Sequence, residues 1–442
     1  MLERLFGLKA AGSDVRTELT AGLTTFLTMA YIVAVNPAIL GDAGMPVGAV
    51  AAATCLAAGI ASLMMGLFAN YPLALAPGMG LNAYFTYTVV KGLGVPWETA
   101  LGCVFLSGAA FLVLTVVGVR QMIIAAIPRA LFSAVAGGVG LFIAFIGLKD
   151  AGVIVANPAT TVALGDLTKP TAALAVLGLA LIAALQAWRV KGAILIGIVA
   201  VTALAWALGL AHLAPGAYSL SDIGATAFKA DIPAALNLKG GIGGGIGATL
   251  LEIVFVFLFV DLFDNVGTLV AVTKEAGLTD EAGKIPRLNR ILITDSFATM
   301  IGAFAGTSTT TSYIESAAGV AAGGRTGLTA VTVGVLFLIT FLFAPLVQAI
   351  PPAATAPALV LVGAMMLGAV AEIDWKDPSA GIPAFLTLIG IPLTFSIANG
   401  LAFGIVSYAV LKLVRRDVSR RDWLLLILAA LFVARFVYLA KG

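Results

Sequence analysis

Long apolar stretches recur along almost the whole chain and limit its fold more than any other feature. The 442 residues are 61% apolar and only 11% charged, with a mean hydropathy of +1.08. A soluble domain does not need this much apolar sequence to build one core. Runs of about 20 apolar residues, the length that crosses a hydrocarbon layer of roughly 30 Å, follow one another between breaks rich in Gly, Pro, polar or basic residues. The sequence therefore predicts an all-α polytopic membrane protein.

We predict fourteen transmembrane segments. They lie near residues 16–36, 48–69, 72–91, 97–118, 128–147, 170–187, 192–211, 246–272, 289–304, 305–323, 327–349, 355–371, 381–395 and 397–413. Most of the 25 Lys and Arg residues then fall in loops on the side of the amino terminus, as expected for cytoplasmic loops. The amino terminus is therefore predicted to be cytoplasmic. A further apolar stretch, 423–439, either crosses the membrane or lies against it, and Arg435 favours a packed or interfacial position.

The long polar loop near 211–245 divides the fourteen segments into two sets of seven, with an interrupted segment third in each set. An odd number of segments per set turns the second copy upside down in the membrane. Inverted repeats of this kind place discontinuous helices near the midplane, where they form a site. The sequence thus predicts two inverted seven-segment repeats.

The third and tenth segments, 72–91 and 305–323, are apolar but interrupted. The first contains "PLALAPGMGLNAY" and the second "FAGTSTTTSYIESAAG". Non-helical backbone survives at membrane depth only where it is buried in protein or lines a cavity. We expect a short β-strand in each break, followed by half-helices that begin at Asn82 and Ser312, residue types that cap helices well. The two half-helix starts, with free N–H groups, are predicted to face each other across a cavity.

Acidic residues within predicted segments point to the same cavity. Glu315 lies one turn into the predicted second half-helix, and the eighth segment carries Asp261 and Asp264, which share a helix face that Thr268 continues. A charge at a helix centre costs roughly 2.5–3.5 kcal/mol on insertion scales, so such residues are candidates for function. Asp295 is predicted to lie near the cytoplasmic entry of its helix and to make local hydrogen bonds.

This chemistry suits a neutral ligand rather than an anion. Carboxylate oxygens would accept from N–H donors on one edge of the ligand, while half-helix N–H groups would bind its acceptor edge. Carboxylates in a cavity of low dielectric hold protons more readily than in water, so one of them could carry a coupling proton. The hypothesis is ligand uptake coupled to protonation of an acid, with one bundle moving against the other.

Other classes of function fit the sequence less well. No basic and aromatic patch indicates nucleic acid, and Cys55 and Cys103 fall inside apolar runs, where they are typical of buried small residues rather than a disulfide or metal pair. An intramembrane aspartyl protease needs its two aspartates on separate helices, whereas both lie on one helix here. The remaining alternative is an anion transporter of the same fold, of the sulfate or bicarbonate type. Its site is expected to lack Glu315 or to offset it with a basic group.

Four stretches carry a resemblance to a known family. They are "LTTFLTMAYIVAVNPAIL" (Leu23–Leu40), "APGMGLNAYF" (Ala76–Phe85), "FLFVDLFDNVGTL" (Phe257–Leu269) and "GTSTTTSYIESAAGVAAGGRTGLTA" (Gly306–Ala330). In these stretches the chain resembles the AzgA-like adenine/guanine/hypoxanthine permeases of the nucleobase transporter superfamily. The resemblance spans nearly the whole chain and implies a membrane transporter, not an enzyme, that imports purine nucleobases with protons by an elevator-like movement.

The resemblance also implies a division into a core and a gate. The core would comprise residues 1–126 and 246–350 and the gate 127–212 and 351–413, with a linker at 213–245 outside the cytoplasm and an apolar tail at 414–442. A bacterial cytoplasmic (inner) membrane is the expected location, in contact with lipid. A homodimer through the gate is compatible with this division. No cofactor is expected beyond the coupling proton, and sodium coupling is left open.

The family's site residues fall on matching positions of this chain. Gly80 and Asn82 occupy its third-segment Gly-x-Asn, Asp261 and Asp264 its eighth-segment pair, and Glu315 its tenth-segment acid. The predicted substrate-binding set is Gly80, Asn82, Asp261, Asp264, Thr268, Thr311, Ser312 and Glu315, and the predicted proton-coupling set is Asp261, Asp264 and Glu315. Which of the two aspartates touches the substrate is open, with Asp264 favoured for coupling.

Overall fold

The structure is a computed structural model that describes residues 2–118, 127–211, 224–236, 246–278, 285–418 and 422–439. Its chain is mostly helical. The α-helices are α1 (Leu2–Phe6), α2 (Val15–Met29), α3 (Ile32–Gly41), α4 (Val47–Met64), α5 (Met79–Ala83), α6 (Trp97–Val117), α7 (Arg129–Asp150), α8 (Pro170–Ala187), α9 (Ala193–Ala207), α10 (Ile232–Leu236), α11 (Ile246–Glu275), α12 (Leu288–Ala305), α13 (Ser316–Ala321), α14 (Gly327–Thr340), α15 (Pro352–Met366), α16 (Pro378–Thr394), α17 (Ile397–Val414) and α18 (Trp423–Leu439).

Short β-strands, π-helical turns and 3₁₀ turns occur between the α-helices. The strands are β1 (Leu75–Pro77), β2 (Ile154–Asn157), β3 (Thr161–Leu164) and β4 (Thr310–Ser312). The π-helical turns are Met65–Ala69 and Tyr84–Val90, and the 3₁₀ turns are Phe341–Ala349 and Leu367–Glu372. Strands β1 and β4 fall in the two interrupted segments, as predicted. The β2–β3 hairpin between α7 and α8 was not predicted.

Helix length and composition fit a membrane-embedded chain. Among the described residues, eight helical stretches are long and apolar enough to cross a membrane, and three shorter apolar helices accompany them. The fourteen-segment inverted repeat stays a prediction. Of the predicted linker at 213–245, only residues 224–236 lie within the described part of the chain.

The first segment departs from the single helix predicted over 16–36. Helix α2 ends at Met29, and α3 begins at Ile32 and continues to Gly41. Between them the turn tightens, since the N–H of Val33 bonds the carbonyl of Ala30 at 3.2 Å. Tyr31 therefore stands at an irregular turn inside an otherwise continuous span.

Glycines let helices from the two halves of the chain approach closely. A β-carbon at Gly66 would lie 2.4 Å from the carbonyl oxygen of Gly327, and one at Gly327 would lie 2.0 Å from that of Gly66. Gly140 and Gly363 form a second reciprocal pair, with corresponding distances of 2.6 and 2.3 Å. In lipid the hydrophobic effect does not drive helices together, so helix association depends on van der Waals packing. Glycine allows the close backbone contact that gives this packing, and a larger side chain would prevent it.

The C-terminal helix α18, which contains the apolar tail, packs against α17. The rings of Phe403 and Phe436 stack with centroids 5.8 Å apart, and Leu425 is buried. Lys412 and Asp422 form a 2.8 Å ion pair at the start of this contact. The side chain of Arg435, which was part of the sequence argument, lies outside the described side chains.

A buried carboxylate near the amino terminus anchors the start of α14. Glu18 is fully buried in α2 and accepts hydrogen bonds from the backbone N–H groups of Arg325, Thr326 and Thr329 at 2.9, 3.3 and 3.2 Å. The Thr329 hydroxyl donates to it as well, at 2.5 Å. Since the first N–H groups of a helix have no partner within the helix, Glu18 acts as their cap from a distant part of the chain.

We expect Glu18→Ala to destabilise the protein. Each N–H left unpaired in a buried place costs about 1–3 kcal/mol, so the unfolding midpoint of the purified protein in detergent should fall by about 5 °C or more. Glu3→Ala is the matched control, because Glu3 accepts only an exposed bond from the Lys9 N–H at 3.1 Å. Equal midpoints for the two variants would contradict this role of Glu18.

Candidate functional site

The two interrupted segments meet as a short antiparallel pair of strands. Leu75 pairs with Ser312, Ala76 with Thr311 and Pro77 with Thr310, and all six residues are buried. The ladder extends by one bond at each end, from the Gly78 N–H to the Thr309 carbonyl and from the Tyr313 N–H to the Ala74 carbonyl, both at 2.9 Å. Each break thus satisfies the backbone groups of the other, which is the condition for non-helical chain at this depth.

The half-helices do not begin where the sequence predicted. Asn82 lies inside α5, which is preceded by Gly78, and Ser312 lies in β4. Glu315, predicted one turn into a half-helix, stands at the N-cap position of α13. The physical reason is the strand pairing, because residues 310–312 use their backbone groups in the ladder and helix can start only beyond them.

Three carboxylates from the second half of the chain converge beside this ladder. Asp264 lies within electrostatic range of Glu315 and of Asp295. A β-carbon at Gly78 would lie 3.4 Å from Oδ2 of Asp264, so this carboxylate packs against the start of α5. Glu315 is half-buried and its Oε1 accepts a 2.5 Å hydrogen bond from the Tyr31 hydroxyl. The structure therefore brings the carboxylates of Asp264 and Glu315 within electrostatic range of each other.

A small cavity of about 20 Å³ lies beside Asp264. Its lining includes Gly80 of α5, Phe263 and Asp264 of α11, Val135 and Val139 of α7, and Met366 at the end of α15. It therefore lies between α5 and α11 on one side and α7 and α15 on the other. This volume suits about one water molecule.

Asp261 and Asp264, which the sequence places on one helix face, differ in their immediate surroundings. Asp261 is buried, and the hydroxyl of Thr299 in α12 donates to it at 3.5 Å, whereas Asp264 lines the cavity. Side chains three residues apart on a helix diverge by about 60°. At a junction of three elements that angle is enough to send them to different partners.

The predicted hydroxyl and amide ligands form hydrogen bonds with other protein groups and are not part of the cavity lining. Thr311 donates to Asp295 at 3.2 Å and accepts from the Asn265 amide at 3.4 Å, and Ser312 accepts from the same amide at 3.5 Å. Asn82 is fully buried and its Oδ1 accepts from the Ser308 hydroxyl. Of the predicted set, Gly80 and Asp264 line the cavity, while Thr268 is buried outside its lining.

Two residues of this site were missed or misplaced by the sequence argument. Asp295, predicted to make local hydrogen bonds near the cytoplasmic entry, is fully buried and bonded to Thr311, sixteen residues away. It carried the same signal as the other acids, a carboxylate within an apolar segment. Tyr31 carried no comparable signal, because an aromatic residue in a membrane helix is usually a packing residue. Only its contact with Glu315 shows that Tyr31 belongs with the acids.

Residues 16–407 match the Permease family. The chain belongs to this family. Among curated relatives, this permease is 45% identical over 441 residues to the adenine permease AdeP of Escherichia coli, covering 99% of this chain and 96% of that protein. It is 42% identical over 435 residues to the guanine/hypoxanthine permease PbuO of Bacillus subtilis, covering 97% and 98%. The predicted resemblance to nucleobase permeases is confirmed, and the chain is an integral membrane transporter rather than an enzyme.

A solved structure shares the fold of this permease. The transmembrane domain of the cyanobacterial bicarbonate transporter BicA superposes with a TM-score of 0.63 at 15% sequence identity, covering 88% of this chain and 97% of that domain. At this identity the likeness concerns the fold alone.

We expect Gly80→Ala to strain the contact between α5 and α7. A β-carbon at Gly80 would lie 2.4 Å from Cγ1 of Val139, and forcing a methyl group into a packed site costs about 1–3 kcal/mol. The unfolding midpoint should fall, and Val139→Ala in the same chain should recover part of the loss because it removes the opposing methyl groups. Gly368→Ala is the control, since no atom lies within 4 Å of a β-carbon there. Additive effects of Gly80→Ala and Val139→Ala would contradict the contact.

Proposed function

We propose that this permease is a proton-coupled symporter that imports purine nucleobases, namely adenine, guanine and hypoxanthine. The observation that carries the proposal is the meeting of Asp264 and Glu315, from different segments, beside a cavity between two sets of helices. The names of the relatives, adenine permease and guanine/hypoxanthine permease, support the same substrate class. We place the protein in the bacterial cytoplasmic membrane with its amino terminus inside.

The chemistry of the site suits a flat neutral base. A purine presents N–H donors that carboxylate oxygens can accept, and ring faces that need an apolar wall. Asp264 supplies acceptors at the cavity, and Phe263, Val139 and Met366 supply apolar surface around it. Glu315 and the N–H groups at the start of α5 are the further partners that we assign to the base once the cavity widens.

The lack of a basic partner for either acid among the described residues supports proton coupling. Among the described residues, neither Asp264 nor Glu315 forms an ion pair with Lys or Arg. A buried carboxylate without a basic partner is costly when charged and is neutralised most simply by a proton. One of the two acids, with Asp264 favoured, would take up a proton from outside together with the base and release it inside.

The position of the cavity suggests how transport proceeds. It lies between α5 and α11, which fall in the proposed core (1–126 and 246–350), and α7 and α15, which fall in the proposed gate (127–212 and 351–413). Because a purine is far larger than about 20 Å³, the core must move away from the gate to admit it. We propose that this movement is elevator-like, with fourteen segments arranged as two inverted repeats.

An anion carrier is the less suitable function for this site. BicA shares the fold, but a bicarbonate or sulfate ion placed here would meet Asp264 and Glu315 with no described basic side chain paired to them. Like charges at this distance in a medium of low dielectric repel strongly. The acids therefore favour a neutral ligand.

We expect Asp264→Asn and Glu315→Gln to abolish pH-driven accumulation of labelled adenine or hypoxanthine in cells that lack other purine uptake. The amides keep the shape of the acids but cannot exchange a proton. Asp374→Asn is the control, because that carboxylate is exposed and accepts from the backbone N–H of Lys376. Normal accumulation by both site variants would reject the mechanism.

A protonophore tests the identity of the coupling ion independently of the substrate. Wild-type uptake should collapse when the protonophore is added and should not depend on replacing sodium by potassium in the medium. Competition by a panel of nucleobases, with sulfate and bicarbonate included, tests the substrate class in the same assay. Inhibition by either anion, but by no base, would favour the anion carrier.

A further inference from the structure

Tyr31 contacts the acid of the second broken segment from a distant part of the chain. Its hydroxyl donates to Oε1 of Glu315 at 2.5 Å, across 284 positions of sequence, and the tyrosine is 1% exposed. This distance lies within the range of an O–H···O hydrogen bond. The contact joins the irregular turn of the first segment to the residue that follows strand β4.

The Glu315 carboxylate receives local support from its own backbone N–H, whereas the Tyr31 hydroxyl is a partner from a distant part of the chain. Glu315 stands at the N-cap position of α13, yet its side chain makes no capping bond to that helix. The turn is held instead through its backbone, by the N–H of Ser316 to the Tyr313 carbonyl and the N–H of Ala318 to the Glu315 carbonyl, at 3.1 and 3.0 Å. A glutamate side chain has three rotatable bonds, so without a partner its carboxylate would sample many positions.

The surroundings of Tyr31 leave its ring well fixed. Its neighbours Ala30 and Ile32 are buried, and the turn at 30–31 is closed by the bonds of Val33 and Ala34 back to the carbonyls of Ala30 and Tyr31. The hydroxyl therefore acts as a fixed point to which one oxygen of Glu315 is tied. The second carboxylate oxygen, Oε2, is the acceptor that we assign to the ligand.

We propose that Tyr31 is a positioning residue that aims Glu315 at the transported base and thereby sets the affinity of the permease for it. This inference rests on the proposed function, because it assigns Glu315 to the substrate. A preorganised acceptor binds more tightly than a mobile one since the cost of ordering it has already been met in the free protein. Loss of the hydroxyl should therefore weaken binding and leave the later steps of transport largely intact.

The test compares initial rates of labelled adenine uptake by the full-length wild type and Tyr31→Phe, each normalised to the amount of protein in the membrane. We expect KM to rise by about tenfold or more, the loss typical of one hydrogen bond to a charged group, while kcat stays within about twofold. Tyr71→Phe is the matched control. Tyr71 is equally buried, and its hydroxyl donates to the Pro286 carbonyl at 2.6 Å, away from the acids. The KM of the Tyr71→Phe variant should therefore equal that of the wild type.

A second variant shows whether the two residues act together. Glu315→Asp keeps a carboxylate but withdraws it from the Tyr31 hydroxyl, so KM should rise in this variant as well. If Tyr31 acts through Glu315, adding Tyr31→Phe to Glu315→Asp should change KM by less than about twofold, because the shared contact is already lost. Fully multiplicative effects on KM would overturn the positioning role.

The remaining outcomes are also decisive. An unchanged KM in Tyr31→Phe, or a variant that fails to reach the membrane, would show that the hydroxyl serves packing or folding and would overturn the inference alone. A wild-type chain that takes up no nucleobase would overturn the proposed function together with the inference that depends on it. The two failures are distinguished by the wild-type measurement.

Discussion

The pairing of β1 with β4 is the interaction on which the rest of this permease depends. Two segments leave the helical conformation inside an apolar protein, and each would expose unbonded N–H and C=O groups if it did so alone. Paired in antiparallel register from Leu75 opposite Ser312 to Pro77 opposite Thr310, they satisfy one another. The free-energy cost of leaving backbone N–H and C=O groups unpaired at one break is thus offset because a second break lies beside it and pairs with them.

This pairing also decides where the chemistry lies. Because the ladder ends at Gly78 and Tyr313, the chain turns into helix directly afterwards, and Glu315 comes to the junction of strand and helix. The buried hydroxyls of Thr310 and Thr311 face α12, where Thr299 donates to the Thr310 carbonyl at 3.1 Å and Asp295 accepts from Thr311. A polar layer between the strands and α12, which includes Asp295, therefore lies near Asp264.

The contacts around this centre differ in kind from those of a soluble core. Glycines at positions 66, 140, 327 and 363 bring backbones together across the two halves of the chain, and Glu18 caps α14 from α2. Close packing and internal hydrogen bonds stabilise such an assembly, since water is not there to drive apolar surfaces together.

The sequence by itself determined the class of protein and the location of the two breaks, and it singled out Asp264 and Glu315, but not Asp295, as candidate acids. Apolar runs of membrane length, the Pro and Gly residues near 72–80 and the Thr-rich run at 307–311 each have a local physical meaning that needs no partner. Periodicity likewise located Asp261 and Asp264 on one helix. Periodicity could not predict which neighbours each side chain contacts, because the two side chains differ in direction by only about 60° and the effect of that angle depends on the packing around the helix.

Only the tertiary structure decided which groups meet. Asn82 and Ser312 are good N-cap types, yet the strand register moved both half-helix starts and gave these residues other partners, Ser308 for Asn82 and the Asn265 amide for Ser312. Tyr31 and Glu315 are 284 positions apart, and nothing in the local sequence of either predicts their hydrogen bond. Local chemistry fixes what a residue can do, whereas its partner depends on the packing of segments far apart in the chain.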